Sequence, residues 1–524
     1  MKISCEYLYR RFWEIFPATL SFSLLLVPIF LSFSYPKAVA VSVVIYAFLW
    51  FMRTVEYSVF LIFSFWKFKK SAAENWAKKI ISLETGECLT REEKNIRDVL
   101  IQKKDWISPR EVKHLVIIAM YDEDIEILRE TFFSLQNSDF DLQKLFVCLA
   151  TEERKSVLGR KNSEILKHEF SGIFGNLFFV EHPGGISGEV QGKGSNISFA
   201  VREVSAQIAL HEDLRNILVT TLDSDNKVDV QYFSCLTYHF CLQNNRQKQS
   251  YQPLPLFYNN IWDVPLLNRI LAISSGFWHM IESGRPDRLR NFSSHAQPLL
   301  ALQEMNYWAV DTIVEDGHQF WRSFLHFKGE YEVVPLFIPI YQDAVLNANY
   351  YRSVLGQYKQ MRRWAWGCSD IPFCAVNFWK KRRELPLGKT ILQFVRLVEG
   401  HIMWATTAIF VTFTIRMPQI VSSEFSETNI SVNLAYLLQN FFGVAIIGIV
   451  LSMTVSLITL PKAPTRKKFF SLFWQWIFLP IVIIIFGSFP ALDAQIRLFL
   501  KKPLEFNVTE KKRISKEVYG HVPI

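Results

Sequence analysis

The sequence predicts an α/β protein in which a soluble block with a mostly parallel sheet is inserted between N-terminal and C-terminal membrane-spanning helices. Three observations predict it. Uncharged apolar runs stand at both ends of the 524-residue chain, a stretch of mixed polarity (70–385) separates them, and within that stretch short β-branched runs alternate with segments of helical spacing. Half the residues are hydrophobic, 45 of them phenylalanine, so local runs rather than composition decide the layout.

The first element is a hairpin. Residues 17–33, "PATLSFSLLLVPIFLSF", carry no charge, and 38–52, "AVAVSVVIYAFLWFM", follow after the break "SYPK". The first run nearly matches a hydrocarbon core of about 30 Å; the second reaches that length by running on past Arg53 and Glu56. Lys2, Arg10 and Arg11 resemble the charged start of a signal peptide, but no small-residue cleavage site follows. After Pro386 come three more apolar runs, 401–415, 433–460 and 469–489. Lys67, Lys69, Lys70, Lys78 and Lys79 flank the second span, whereas the 418–432 loop has Glu424 and Glu427 and no basic residue. This asymmetry places the soluble block in the cytoplasm of a multi-pass plasma (inner) membrane protein. A full fifth crossing would then carry the basic tail to the opposite side, so the last run, interrupted by Pro480, Gly487 and Pro490, either re-enters, lies along the interface or breaks the charge rule. The expected layout is a hairpin (1–66), a linker (67–109), a soluble α/β domain (110–385), a C-terminal membrane region (386–495) and a basic tail (496–524).

The net charge of +9 sits largely beside the spans, where it suits anionic lipid headgroups. No basic stripe interleaved with stacking aromatics is present, which argues against nucleic acid. Seven cysteines without CxxC spacing indicate neither a disulfide frame nor a zinc site. A transporter is disfavoured, since Glu399 and His401 are the only ionisable cluster noted in a span.

Inside the soluble block, "HLVIIAM" (114–120), "KLFVCLA" (144–150), "NLFFVEH" (176–182) and "NILVTTLD" (216–223) read as buried strands. Ile125, Leu128, Phe132 and Leu135 recur at helical spacing, and 194–210 is a second helix candidate. In such sheets ligands collect beyond the carboxyl ends of the strands. Asp223 and Asp225 stand at one such end, where two carboxylates are compatible with a hard cation such as Mg2+ or Mn2+ bridging to phosphates, or with a simple surface turn.

Four further segments sharpen this. "AMYDE" (119–123), "EVQGKGSNISFA" (189–200), "TIVEDGHQFWR" (312–322) and "QYKQMRRWAWG" (357–367) follow one another with "TLDSDN" in the order found in membrane-bound glycosyltransferases of family 2, which the chain resembles over roughly residues 110–460. That resemblance implies a Rossmann-like GT-A domain and inverting transfer from a nucleotide-diphosphate sugar. By it, Asp223 and Asp225 are the metal-binding D-x-D, and Asp316, beside Glu315, is the general base. Tyr121, Asp122, Glu123, Glu152, Lys193 and Asn196 face the nucleotide and diphosphate, and Gln360, Arg363 and Trp364 form Q-x-x-R-W at the acceptor and diphosphate. The chain departs from the pattern at Ala119 and Asp122, at Ser198, and where "LATEERK" replaces the family's second aspartate motif, leaving only Glu152. The implied donor is UDP-linked, and the altered turns leave a GDP-linked one open. "GK" at 192–193 is no P-loop, since Ser187 and Gly194 occupy two of its required positions.

The expected partners are a sugar nucleotide, a growing polysaccharide or a membrane-lipid acceptor, and the surrounding lipids; a homo-oligomer is left open. Processive synthesis, single transfer to a lipid, and a catalytically silent sugar-nucleotide sensor are the three activities to separate.

Overall fold

The structure, a computed structural model, describes residues 4–504, the side chains of residues 442, 444–446 and 449 aside, so most of the expected basic tail lies outside the described residues. Two compact units are present. One comprises Trp66–Asn259 and Glu282–Asp343, the other Met1–Phe65, Asn260–Ile281 and Ala344–Pro523.

The first unit holds an eight-stranded sheet: β1 (Lys113–Ala119), β2 (Leu145–Glu152), β3 (Asn176–His182), β4 (Ile217–Asp223), β5 (Lys227–Val228), β6 (Gln249–Leu256), β7 (Ala296–Pro298) and β8 (Glu332–Tyr341), in the order β3-β2-β1-β4-β7-β6-β8-β5. The four strands expected from sequence are β1–β4, and all their mutual pairings are parallel. β1 is apolar throughout because both its faces are covered. Val116 and Ile118 join Leu128, Phe132 and Leu135 of helix Ile125–Gln136 in one core, while Leu115 and Ile117 meet Ile197, Ala200, Val201 and Val204 of helix Lys193–Ile208 in the other. β7 runs antiparallel to β4 and β6, so the second half of the sheet is mixed. Register decides where side chains emerge: Ala119 at the end of β1 pairs with Ala150 of β2 and with Asp223 of β4. The carboxyl ends of the central strands thus open at one edge.

The other unit is helical. Among the described residues four helical segments are long and apolar enough to cross a membrane: Cys5–Ser34, Pro36–Ala73, Leu387–Thr412 and Arg466–Phe499. Helix Asn429–Thr459 adds 31 residues of apolar sequence. Trp13 packs on Phe394 and Thr414 Oγ1 donates to the Leu25 carbonyl, so helices Cys5–Ser34 and Leu387–Thr412 run in the same direction. Tyr46 bonds Thr407 and Arg53 pairs with Glu399, which makes Pro36–Ala73 antiparallel to them. Phe441 stacks on Phe51 and Gly448 approaches Ser58, so Asn429–Thr459 follows Pro36–Ala73. The chain therefore enters Arg466–Phe499 at the end of the bundle where Cys5–Ser34 begins. It finishes there too, with Arg11 donating to the Leu498 and Phe499 carbonyls. This segment is broken by a 3₁₀ turn (Gln475–Phe478) and a π turn (Ile483–Ser488), with Pro480 and Pro490 beside them. Its contacts bring it back to the side it started from.

Candidate active site

At the exposed edge of the strands Lys193 is the centre of a charged cluster. It opens helix Lys193–Ile208, is 9% exposed, and its Nζ lies 3.0 Å from Asp223 Oδ1 and 3.6 Å from Asp316 Oδ2. Burial alone would lower the pKa of this ammonium, but Asp223, Asp316 and Glu315 together raise it, so Lys193 is charged throughout the physiological range. Ser293 Oγ receives Lys193 at 3.4 Å and donates to Asp223 Oδ2 at 3.0 Å.

Asp316 is in the first turn of helix Glu315–His326, where the N-terminal dipole favours acids. Its Oδ1 is buried without a hydrogen-bond partner among the described residues, 3.6 Å from His295 Nδ1. His295 Nδ1–H donates to the Phe292 carbonyl at 2.9 Å, and burial, offset in part by Asp316, lowers its pKa, so the ring is neutral at pH 7. The loop carrying Ser293 and His295 is fixed by Gln252 of β6, whose side chain accepts from Phe292 N and donates to the Ser293 carbonyl. Between them Ser294 sits at φ 69°, a strained position for a non-glycine residue. Gly194 permits the convergence. A Cβ there would lie 2.8 Å from the Ala309 carbonyl oxygen and 3.0 Å from Glu315 Cβ.

The other expected residues fall into three groups. Asp225 is 4% exposed and its Oδ2 accepts the Asp343 amide at 3.0 Å, so it is the more enclosed of the two aspartates. Tyr121, Asp122, Glu123 and Glu152 gather at the ends of β1 and β2. The Glu123 carboxylate accepts the Tyr121 and Asp122 amides and closes the turn, Lys155 pairs with Asp122 at 2.7 Å, and Arg154 pairs with Glu152 while lying 4.9 Å over the Tyr121 ring. Asn196 is buried, its Nδ2 donating to the Ala150 carbonyl at the end of β2. Gln360, Arg363 and Trp364 belong to the helical unit, on helix Tyr350–Ala365, where spacings of three and four put them on one face.

Sequence reading did not anticipate Ser293, His295, Arg154 or Lys155. "SSH" has no distinguishing local pattern, whereas "EERK" stood in plain view directly after strand β2.

A divalent ion that bridges phosphates needs one or two protein carboxylates, with phosphate oxygens and water completing its shell. Asp223, with a side chain 32% exposed at a strand end, fits that role, while one oxygen of Asp225 is taken by the Asp343 amide. No group of three His, Cys, Asp or Glu side chains forms a protein-only metal cage among the described residues.

No protein-family model matches the chain, and no curated protein matches it. Among solved structures it is similar to a mannosyltransferase from Pyrobaculum calidifontis in complex with GDP-Man and Mn2+, at 12% identity and TM-score 0.43, over 88% of this chain and 99% of that one. It is also similar to S. aureus TarS 1–349 in complex with UDP-GlcNAc, at 12% identity and TM-score 0.33, over 71% and 91%.

Proposed function

We propose that the protein is a membrane-bound inverting glycosyltransferase of the GT-A, family 2 kind that moves a sugar from a nucleoside-diphosphate donor to a growing polysaccharide or a membrane-lipid acceptor. The single observation that carries this reading is the convergence of Lys193, Asp223 and Asp316, from three separate segments, on one buried charge cluster at the carboxyl end of a parallel sheet. In-line displacement at an anomeric carbon requires a base on one face and charge compensation for the leaving diphosphate on the other.

Each residue then has a task. Asp316 Oδ1, buried and without a hydrogen-bond partner among the described residues, accepts the proton of the acceptor hydroxyl. Lys193, fixed between two carboxylates, meets the diphosphate as a point charge. Asp223, supported by Asp225, holds Mg2+ or Mn2+, which when bound supplies further positive charge to the leaving group. His295, its Nδ1–H held by the Phe292 carbonyl, packs 3.6 Å from Asp316 Oδ1. Arg154 and Lys155 over Tyr121 line the place where the nucleotide base is expected, with Glu152 and Asp122 as their counter-charges. The role implied for Gln360, Arg363 and Trp364, contact with acceptor and diphosphate, is part of the same proposal, as is the cytoplasmic placement of the catalytic block.

Asp316→Asn is the test. It preserves shape and removes the base, so turnover of the sugar nucleotide should fall ~10²- to 10⁴-fold while donor binding, read by calorimetry, is retained. Unchanged turnover would remove Asp316 from the chemistry. A panel of UDP- and GDP-linked sugars assayed with each metal identifies the donor, and solvent extraction of the product separates a lipid acceptor from a polysaccharide.

A further inference from the structure

A second charged site lies within the helical unit, at the start of helix Cys5–Ser34. A cavity of about 360 Å³ is lined there by Tyr7, Arg10, Arg11, Glu14, Trp366 and Lys501, among others. Three cations from two distant stretches of chain face one carboxylate. Glu14 is shared by Arg10 at 3.2 Å and Arg11 at 2.9 Å, so it cannot neutralise the group. Arg11 is further engaged with the Leu498 and Phe499 carbonyls. Arg10 meets Glu14 through Nε only, and its two terminal nitrogens make no hydrogen bond among the described residues.

Lys501 is the telling residue. It terminates helix Phe489–Phe499 at φ 54°, with its amide bonded to the Leu498 carbonyl and the Lys502 amide to that of Arg497, a closing motif in which glycine is the usual occupant. A lysine there carries backbone strain that glycine would not. Its ammonium contacts the Tyr7 hydroxyl and stands 4.6 Å over the Tyr7 ring, at the cavity. Strain accepted at a position whose side chain serves a cavity points to use of that side chain.

The surroundings identify the source of the ligand. Leu8 and Phe12 are 55% and 54% exposed beside the arginines, and the uncharged run of the helix follows directly, so the cavity lies where basic residues meet hydrocarbon. We propose that this cavity binds the phosphate of an anionic membrane lipid, with Arg10, Arg11 and Lys501 as its contacts and Trp366 and Tyr7 as its walls. The proposal rests on the membrane-spanning reading of the helices and is independent of the transferase chemistry.

The experiment compares full-length protein with Lys501→Gly and Arg10→Gln in nanodiscs of phosphatidylcholine alone and with phosphatidylglycerol. Native mass spectrometry of the released protein counts retained phosphatidylglycerol, and inorganic phosphate is run as a parallel arm against the protein in neutral detergent. Each lost charge should weaken retention about fivefold. Lys501→Gly should at the same time keep or raise the melting temperature, since glycine relieves the left-handed residue, so loss of lipid cannot be ascribed to misfolding. Equal retention by the parent and both variants overturns the site. Competition by inorganic phosphate at millimolar concentration, with no preference for the anionic lipid, overturns the lipid source. Sugar-nucleotide turnover by Lys501→Gly in detergent is expected at the parental level, which keeps failure here distinct from failure of the transferase reading.

Discussion

Gly194 shows how little room the candidate site leaves. In an unconstrained helix Gly→Ala stabilises by roughly 1 kcal/mol. Here the new methyl would meet the Ala309 carbonyl oxygen at 2.8 Å, a backbone atom that cannot swing aside. Gly194→Ala is therefore expected to destabilise by about 1–3 kcal/mol and to lower turnover, because the starts of helices Lys193–Ile208 and Glu315–His326 must separate. Thermal unfolding and a turnover assay on the same sample check both, and a stabilised, fully active variant would contradict the close approach. At this scale the carboxylates and the lysine were legible as residue types in a recognisable order. Their partners were not. Ser293 and His295 enter through a loop held by Gln252 of β6, a long-range contact that leaves no local trace.

Strand β1 illustrates how elements combine local pattern with long-range packing. Its alternating Leu115, Val116, Ile117 and Ile118 supply two cores at once, which is why a short apolar run could be read as a buried strand. His114, in the same strand, is wholly buried, bonded through Nε2 to Thr237 and ringed by Phe140 and Phe233. Burial pushes its pKa down to about 3. The unfolded chain binds a proton near pH 6.5 that the folded protein refuses, so stability is intact above pH 6.5 and declines as pH falls toward 3, by ~1.4 kcal/mol per unit for this one group. Denaturant titrations at pH 7.5, 6 and 5 should show the loss, and His114→Gln should reduce its slope by ~1.4 kcal/mol per unit, the buried His239 and His295 contributing to the remainder. β6 and β8 were unreadable for the opposite reason. "QSYQPLPL" and "EVVPLFIPIY" each contain two prolines, which argue against a ladder strand. The pair tolerates them through a register shift between Gln252 and Leu254.

For the molecule as a whole, the path of Arg466–Phe499 has the widest consequence. Because it begins and ends beside the start of Cys5–Ser34, the chain after Leu504 should emerge on the same side as the N-terminus. Reporters fused at each end, or cysteine labelling near residues 5 and 510 in sealed vesicles, should give the same sidedness. Opposite sidedness would restore a full fifth crossing and undo the proposed lipid cavity with it.

Hydrophobic pattern and residue order, both local properties, were enough to foretell long apolar helices around an α/β block, the four parallel strands, and the acids and lysine of the cluster. Tertiary structure alone decided that Lys193 stands between Asp223 and Asp316, that Asn196 faces the sheet, and that the last apolar segment turns back. The physical reason is that these outcomes depend on strand register, on a glycine-sized gap between two helix starts, and on carbonyls met hundreds of residues away, none of which has a period or a motif along the chain.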